Sequence, residues 1–207
     1  PEEITLVGAS KMNDAAACRE AIAAGIDALG ENRVQEMTAK LADNAYDGAP
    51  LHFIGHLQRN KVKQVVGKVA LIQSVGSTEL LEEIEKVAAK EQLVQDILLE
   101  VNIGREEAKS GFDPDAVTAA AEAALALPHV RVRGLMTIPP ADADRDANMR
   151  YFQEVQALYV DINTKLFHNE LKCLSMGMSG DYMDAIRCGA TMVRVGTAIF
   201  GARNYNI

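Results

Sequence analysis

Lys11 follows an apolar run, Ile4–Ala9, with only Ser10 between them. An ammonium at the end of a strand and against apolar walls can titrate low enough to attack a carbonyl and form a Schiff base. The plainer reading of such a lysine is a solvated side chain opening a helix. Near the other end of the chain, Gly177, Ser179, Gly180, Gly196 and Thr197 mix glycine with hydroxyls just after two further apolar runs. Glycine leaves backbone N–H groups unobstructed and hydroxyls add donors, which suits a phosphate, although ordinary turns use the same residues. Arg194 lies two residues before Gly196, so strand alternation turns both to one side. A guanidinium keeps its proton. Opposite a pyridine nitrogen it would hold that nitrogen unprotonated and weaken the ring as an electron sink, whereas its structural alternative is to pair a buried carboxylate.

Other residues point less clearly to chemistry. His52 and His56 stand four apart, but Phe53-Ile54-Gly55 between them reads as a strand end, and no third ligand stands out, so no metal is expected. Arg59, Lys61, Lys63 and Lys68 form a small basic patch, read as one solvated face. Met136, Met176, Met178 and Met183 cluster near strand ends, either as core or as the lining of an aromatic ring. Cys18, Cys173 and Cys188 form no C-x-x-C pair and read as buried thiols in a reducing cytoplasm rather than a disulfide framework.

The elements that must position these residues repeat along the chain. Apolar runs at Ile4–Ala9, Ile26–Leu29, Leu51–Ile54, Ala70–Val75, Asp96–Ile103, Val130–Ile138, Leu171–Met176 and Thr191–Val195 read as strands. Helical patterns separate most of them. Leu80, Leu81, Ile84, Val87 and Ala88 mark one face of a helix, and Met149 to Leu166 another with spacings of three and four. Asp113-Pro114 reads as a helix start, with Pro128 ending that helix. Eight strands alternating with helices predict a (β/α)8 barrel occupying residues 1–207 as a single domain, with an open doubly wound sheet as the alternative. No G-x-G-x-x-G opens the first helix, which disfavours that alternative. In a barrel, function sits where strands end. Those ends carry Ser10-Lys11, Gly30-Glu31-Asn32-Arg33, Gly55-His56, Thr137, Gly177-Met178-Ser179-Gly180 and Gly196-Thr197.

Composition narrows the classes. Twenty-one basic against 29 acidic residues give a formal charge of −8, which offers no attraction for nucleic acid or an anionic membrane. No apolar run reaches the ~18 residues of a membrane span, and Pro1-Glu2-Glu3 does not open a signal peptide. A core of Ala, Val, Leu and Ile with 5% aromatic residues suits helices on a parallel sheet.

Several stretches together resemble one family. They are Leu6-Val7-Gly8-Ala9-Ser10-Lys11, Gly30-Glu31-Asn32-Arg33-Val34-Gln35-Glu36, and His52-Phe53-Ile54-Gly55-His56-Leu57-Gln58-Arg59-Asn60-Lys61. Glu100-Val101-Asn102-Ile103-Gly104, Lys109-Ser110-Gly111-Phe112, Gly134-Leu135-Met136-Thr137, Leu174–Asp181 and Val193–Gly201 continue the match from residue 4 to 203. The chain resembles the small pyridoxal phosphate-binding homeostasis proteins, related in fold to the barrel domain of alanine racemase. The resemblance implies pyridoxal 5'-phosphate as cofactor, carried on Lys11 as a Schiff base. It implies Ser179, Gly196 and Thr197 at the phosphate, Arg194 at the pyridine nitrogen, and Asn32 and Met136 close to the cofactor. It implies a monomer acting in vitamin B6 homeostasis, with apo-enzymes that need the cofactor as candidate recipients. Family members carry a helix before the first strand that this sequence does not show.

Two-base racemisation needs an acid/base on each face of the α-carbon, and alanine racemase relatives supply the second as a tyrosine from another domain. The residues after the eighth run, Ala202 to Ile207 with Tyr205 among them, are expected not to build that domain. The expected function is therefore a non-enzymatic carrier. An amino-acid racemase using Lys11 is the alternative, and a Schiff-base aldolase acting on a sugar phosphate without cofactor is a third reading.

Overall fold

A computed structural model describes residues 3–201 of the chain. Eight parallel strands close into a barrel in chain order: β1 (Thr5–Ala9), β2 (Ala28–Glu31), β3 (Leu51–Phe53), β4 (Leu71–Val75), β5 (Gln95–Val101), β6 (Val130–Thr137), β7 (Cys173–Ser175) and β8 (Met192–Val195). Closure comes from β1 against β8, with Val7 opposite Arg194, so the first and last segments of the barrel are neighbours. Outside run α1 (Ala15–Ala23), α2 (Val34–Ala42), α3 (Thr78–Lys90), α4 (Val117–Leu125), α5 (Arg145–Leu166), α6 (Tyr182–Arg187) and α7 (Thr197–Phe200). Three of these begin where a side chain accepts from an otherwise orphaned N–H: Asp14 from Ala17, Ser77 from Leu80 and Asp144 from Ala147.

The strands are buried on both faces, as a parallel sheet covered by helices requires. Val7, Ala28, Leu71, Leu98, Met136 and Met192 pack together inside the barrel. Leu29, Phe53, Ile72, Ile97, Leu99 and Phe152 belong to the layer between barrel and helices. Along β5, Leu98 thus points inward and its neighbours Ile97 and Leu99 outward, the two-residue period of a strand. No helix among the described residues is long and apolar enough to cross a membrane.

Two expectations shift. β2 runs two residues later than the apolar pattern suggests, because the approach is held by Asp27, whose carboxylate accepts from Leu6 N–H at 2.7 Å. Gly30 and Glu31 therefore lie inside the strand rather than after it. α4 begins at Val117 rather than at Pro114. A turn intervenes, in which the Asp113 carbonyl accepts from Ala116 and Val117, and its carboxylate from Asp115. Between β3 and β4 the connection is a 3₁₀ helix, Arg59–Gln64, followed by turns. Val62, Val65 and Val66 are buried there, and β-branched residues followed by Gly67 favour no longer helix.

Candidate functional site

At the carboxyl ends of the strands lies a cavity of ≈ 210 Å³ whose lining includes Lys11, Asn32, Met178, Ser179, Arg194, Gly196 and Thr197. Ala9, Ile54 and Ile138 supply apolar wall. Two chambers adjoin it. One, of ≈ 320 Å³, shares Ile138, Met178, Gly180 and Arg194 and adds Asn148 and Asp181. The other, of ≈ 230 Å³, shares Asn32, Ile54 and Ile138 and adds His56, Glu100, Lys109 and Ser110.

Lys11 is half-buried on the loop that leaves β1. On the far side of the β1–β8 seam, the loops after β7 and β8 are tied together by Gly196 N–H donating to Ser179 Oγ at 3.2 Å. That hydroxyl accepts from Gly196 and keeps its own proton to donate. The first N–H groups of a helix have no partner within it, so the turn opening at Thr197 presents donors to the same space. Gly177 has a φ of +94° and could not carry a side chain: a Cβ there would lie 2.6 Å from Ala185 Cβ and 2.9 Å from Tyr182 Cα. Its closeness to α6 is what lets the loop turn back over the barrel mouth. Asn32 is placed by a comparable approach, since a Cβ on Gly55 would lie 2.2 Å from the Asn32 carbonyl oxygen. The Asn32 Oδ1 atom is buried with no hydrogen-bond partner among the described residues.

Arg194 is the deepest charge of the cavity, 3% exposed on β8. Its Nη2 donates to the Thr137 carbonyl at 2.8 Å and its Nη1 to Ser175 Oγ at 2.5 Å. Burial pulls its pKa down to about 10, with Glu100 and Asp181 acting the other way, so it remains a cation near neutrality. The donor role of Arg194 sets the direction of a chain through the barrel interior. Ser175, having accepted from Arg194, donates to Gln73 Oε1 at 2.6 Å, which turns Gln73 Nε2 toward His52 Nδ1 at 2.9 Å. His52 must accept there, and so must be neutral on that nitrogen. Burial agrees, pushing its pKa down to about 4.

Lys11, Asn32, Ser179, Arg194, Gly196 and Thr197 are thus brought together. Met136 is not: it is fully buried with Val7, Leu98 and Met192 in the barrel interior, below the cavity lining, because its strand position turns it inward one residue before the strand ends. Of the other methionines, Met176 is core, while Met178 and Met183 are exposed and Met178 lines the cavity. His52 points inward and His56 is exposed, so the two do not converge. No group of three or more metal-ligating side chains forms among the described residues. Arg59, Lys63 and Lys68 are exposed and Lys61 half-buried. Cys18 is buried and Cys173 and Cys188 half-buried, all with free thiols. Tyr205 lies outside the described residues.

Sequence reasoning missed the polar groups behind this lining. Glu100, 8% exposed on β5, is held above the usual carboxylate range by burial, against the pull of Ser110, Arg194 and His56. Glu31 is fully buried on β2 and meets Lys40 of α2 at 2.7 Å. The available signal was a charged residue directly continuing an apolar run.

A family model described as alanine racemase, N-terminal domain, matches residues 8–204. A pyridoxal phosphate homeostasis protein of Aquifex aeolicus is 44% identical over 200 residues, covering 97% of this chain and 87% of the relative. The solved structure of PipY from Synechococcus elongatus with PLP bound matches at a TM-score of 0.88 and 34% identity, covering 97% of this chain and 94% of that one. An alanine racemase of Clostridium difficile shares the fold at 17% identity and a TM-score of 0.79, with 100% of this chain matched to 54% of that one.

Proposed function

The chain belongs to the alanine racemase N-terminal domain family, and from that premise we propose that it is a pyridoxal 5'-phosphate-binding protein of vitamin B6 homeostasis, holding the cofactor on Lys11 without turnover. The observation that carries this reading is the convergence of Lys11, Asn32, Ser179, Arg194, Gly196 and Thr197 on one cavity. The residues fit the group. Ser179, whose hydroxyl keeps its proton while Gly196 N–H holds the oxygen in place, and the amide at Thr197 offer donors to a phosphate, and Arg194 offers its guanidinium to the ring nitrogen. Asn32 has a buried Oδ1 that lacks a partner among the described residues and can accept from a ligand. When bound, the group supplies an aldehyde, with which the Lys11 amine condenses through a carbon–nitrogen double bond with loss of one water.

Each residue then has a physical task. Arg194, fastened to Thr137 and Ser175, cannot swing away and keeps its proton near neutrality, so a ring nitrogen set against it would stay unprotonated. That weakens the ring's capacity to stabilise a carbanion, which favours holding over chemistry at an α-carbon. Lys11 and Arg194 are the ionisable side chains that line this cavity, and Arg194 keeps its proton, which leaves Lys11 as the one base there, whereas two-base racemisation requires a second such group. The relatives' designation as homeostasis proteins supports the same reading.

A second reading, a racemase or other enzyme using Lys11, is favoured by Glu100, a buried carboxyl in the adjoining chamber with its pKa raised by burial. Absorption and isotope exchange decide between them. The protein mixed with pyridoxal phosphate is expected to show a visible band that Lys11→Ala abolishes, with no sustained α-hydrogen exchange of amino acids in heavy water. Turnover that Glu100→Gln removes would establish the enzyme reading. A protein that stays colourless with added cofactor would end both.

A further inference from the structure

The residues on both sides of Lys11 are held by one buried ionic cluster that lines no part of the cavity. Ser10, just before it, is fully buried. Its carbonyl accepts from Lys40 Nζ at 2.8 Å and its hydroxyl donates to Glu31 Oε1 at 2.6 Å. Met12, just after it, donates its N–H to Glu36 Oε1 at 2.5 Å. The cluster is continuous, because Lys40 Nζ also donates to Glu31 at 2.7 Å and to Glu36 at 2.9 Å, and Tyr46 donates its hydroxyl to Glu31 at 3.0 Å. Ser10 and Met12 are thereby fastened to β2 and to the first and second turns of α2.

Met12 has a φ of +63°, a left-handed conformation that a side-chain-bearing residue adopts at a cost, and such conformations persist where surrounding contacts over-determine them. The Glu36 contact to its N–H is one such restraint. Lys40 is an unusual choice for a purely structural peg. A helix lysine normally keeps its charge in water, whereas this one is 7% exposed and spends all three N–H donors on Glu31, Glu36 and a loop carbonyl. Burial works to lower its pKa, but the hydrogen bonds and charges of Glu31 and Glu36 outweigh that and hold it above the ordinary value, so the clamp stays charged.

We propose that Lys40, with Glu31 and Glu36, is a positioning cluster for Lys11: it sets the backbone of Ser10 and Met12 and thereby the approach of the Lys11 amine to a carbonyl in the cavity. This rests on the reading that Lys11 carries pyridoxal phosphate. The test therefore has one readout that needs no cofactor and one that does. In the cofactor-free protein, Glu36→Ala is expected to leave the fold intact and to speed hydrogen exchange at the Met12 amide. In the cofactor-loaded protein, Glu36→Ala and Lys40→Met are expected to shift or weaken the visible band and to accelerate cofactor release about tenfold or more, since small misplacements of a reacting group are costly. Lys40→Arg, which retains charge and donors, should recover much of the wild-type behaviour. A merely structural role would lower the melting temperature and leave band and release rate unchanged.

Wild-type band and release in the folded variants, whatever the exchange at Met12, overturn the proposal, and so does wild-type exchange at Met12 in Glu36→Ala. If Lys40→Met does not fold, Glu36→Ala alone decides. If the wild-type protein forms no Lys11-dependent band, the cofactor reading fails, while the exchange at Met12 still reports on the clamp.

Discussion

His52 Nδ1 accepts from Gln73 at the end of a hydrogen-bond chain whose direction begins at Arg194, so its protonation would set two donors against each other inside the barrel. Its folded pKa of about 4 lies below the ordinary 6.5. Above 6.5 the imidazole is neutral folded or unfolded, and its contribution to stability is fully present. As pH falls from 6.5 toward 4 the unfolded chain takes up the proton first, and stability declines by up to about 3 kcal/mol, at ~1.4 kcal/mol per pKa unit. His52→Asn keeps an acceptor for Gln73 without a titrating nitrogen. Urea denaturation across that window should show the pH slope flattened in the variant, and an unchanged slope would refute the assignment. At this scale, Lys11 and Arg194 were legible because each stands at or next to a strand end. Gln73 and Ser175 were not, because a polar residue inside an apolar strand gives no sign of which partner faces it across the barrel. Met136 is turned into the barrel interior rather than into the cavity lining, a direction that proximity to a strand end does not reveal.

Helices and strands position the site through a few close approaches. Gly55, just after β3, lets the end of that strand lie against the Asn32 backbone. Gly55→Ala would drive a Cβ into main-chain atoms at 2.2 and 2.5 Å, which cannot move aside as a flexible side chain would. The expected cost is about 1–3 kcal/mol together with weaker cofactor binding, measured by thermal unfolding and titration; wild-type values for both would contradict this. The eight strands were readable from branched apolar runs, because burial on both faces leaves little else for a strand of this fold to be. β2 was placed early because Glu31, an acidic residue, looked like the beginning of a loop. It is instead strand, its charge met by Lys40 nine residues on, a pairing that only the folding of α2 onto β2 creates. The α4 start was misplaced because Asp113 uses its carboxylate on a turn rather than on the helix.

The whole barrel exists only when β1 meets β8, the pairing that sets Val7 against Arg194 and Lys11 beside the loops after β7 and β8. Site and fold therefore form together. Thermal unfolding followed by far- and near-ultraviolet circular dichroism should give one coincident transition, and two separated transitions would contradict a closure-dependent core. With a net charge of −8 and no broad basic surface, the phosphate of the proposed cofactor would have to be held locally, by donors such as Ser179 and the amide at Thr197 in the cavity. The alternation of strands and helices was visible along the sequence, but the fit of the cavity depends on first and last segments becoming neighbours, which no local pattern records. On the proposed function it is Lys11, among all the lysines of the chain, that carries the cofactor. Borohydride reduction of the full chain with pyridoxal phosphate, followed by peptide mass analysis, tests it most directly. One reduced phosphopyridoxyl adduct is expected, on the peptide containing Lys11. An unmodified Lys11, with adducts scattered over other lysines or absent, would contradict it.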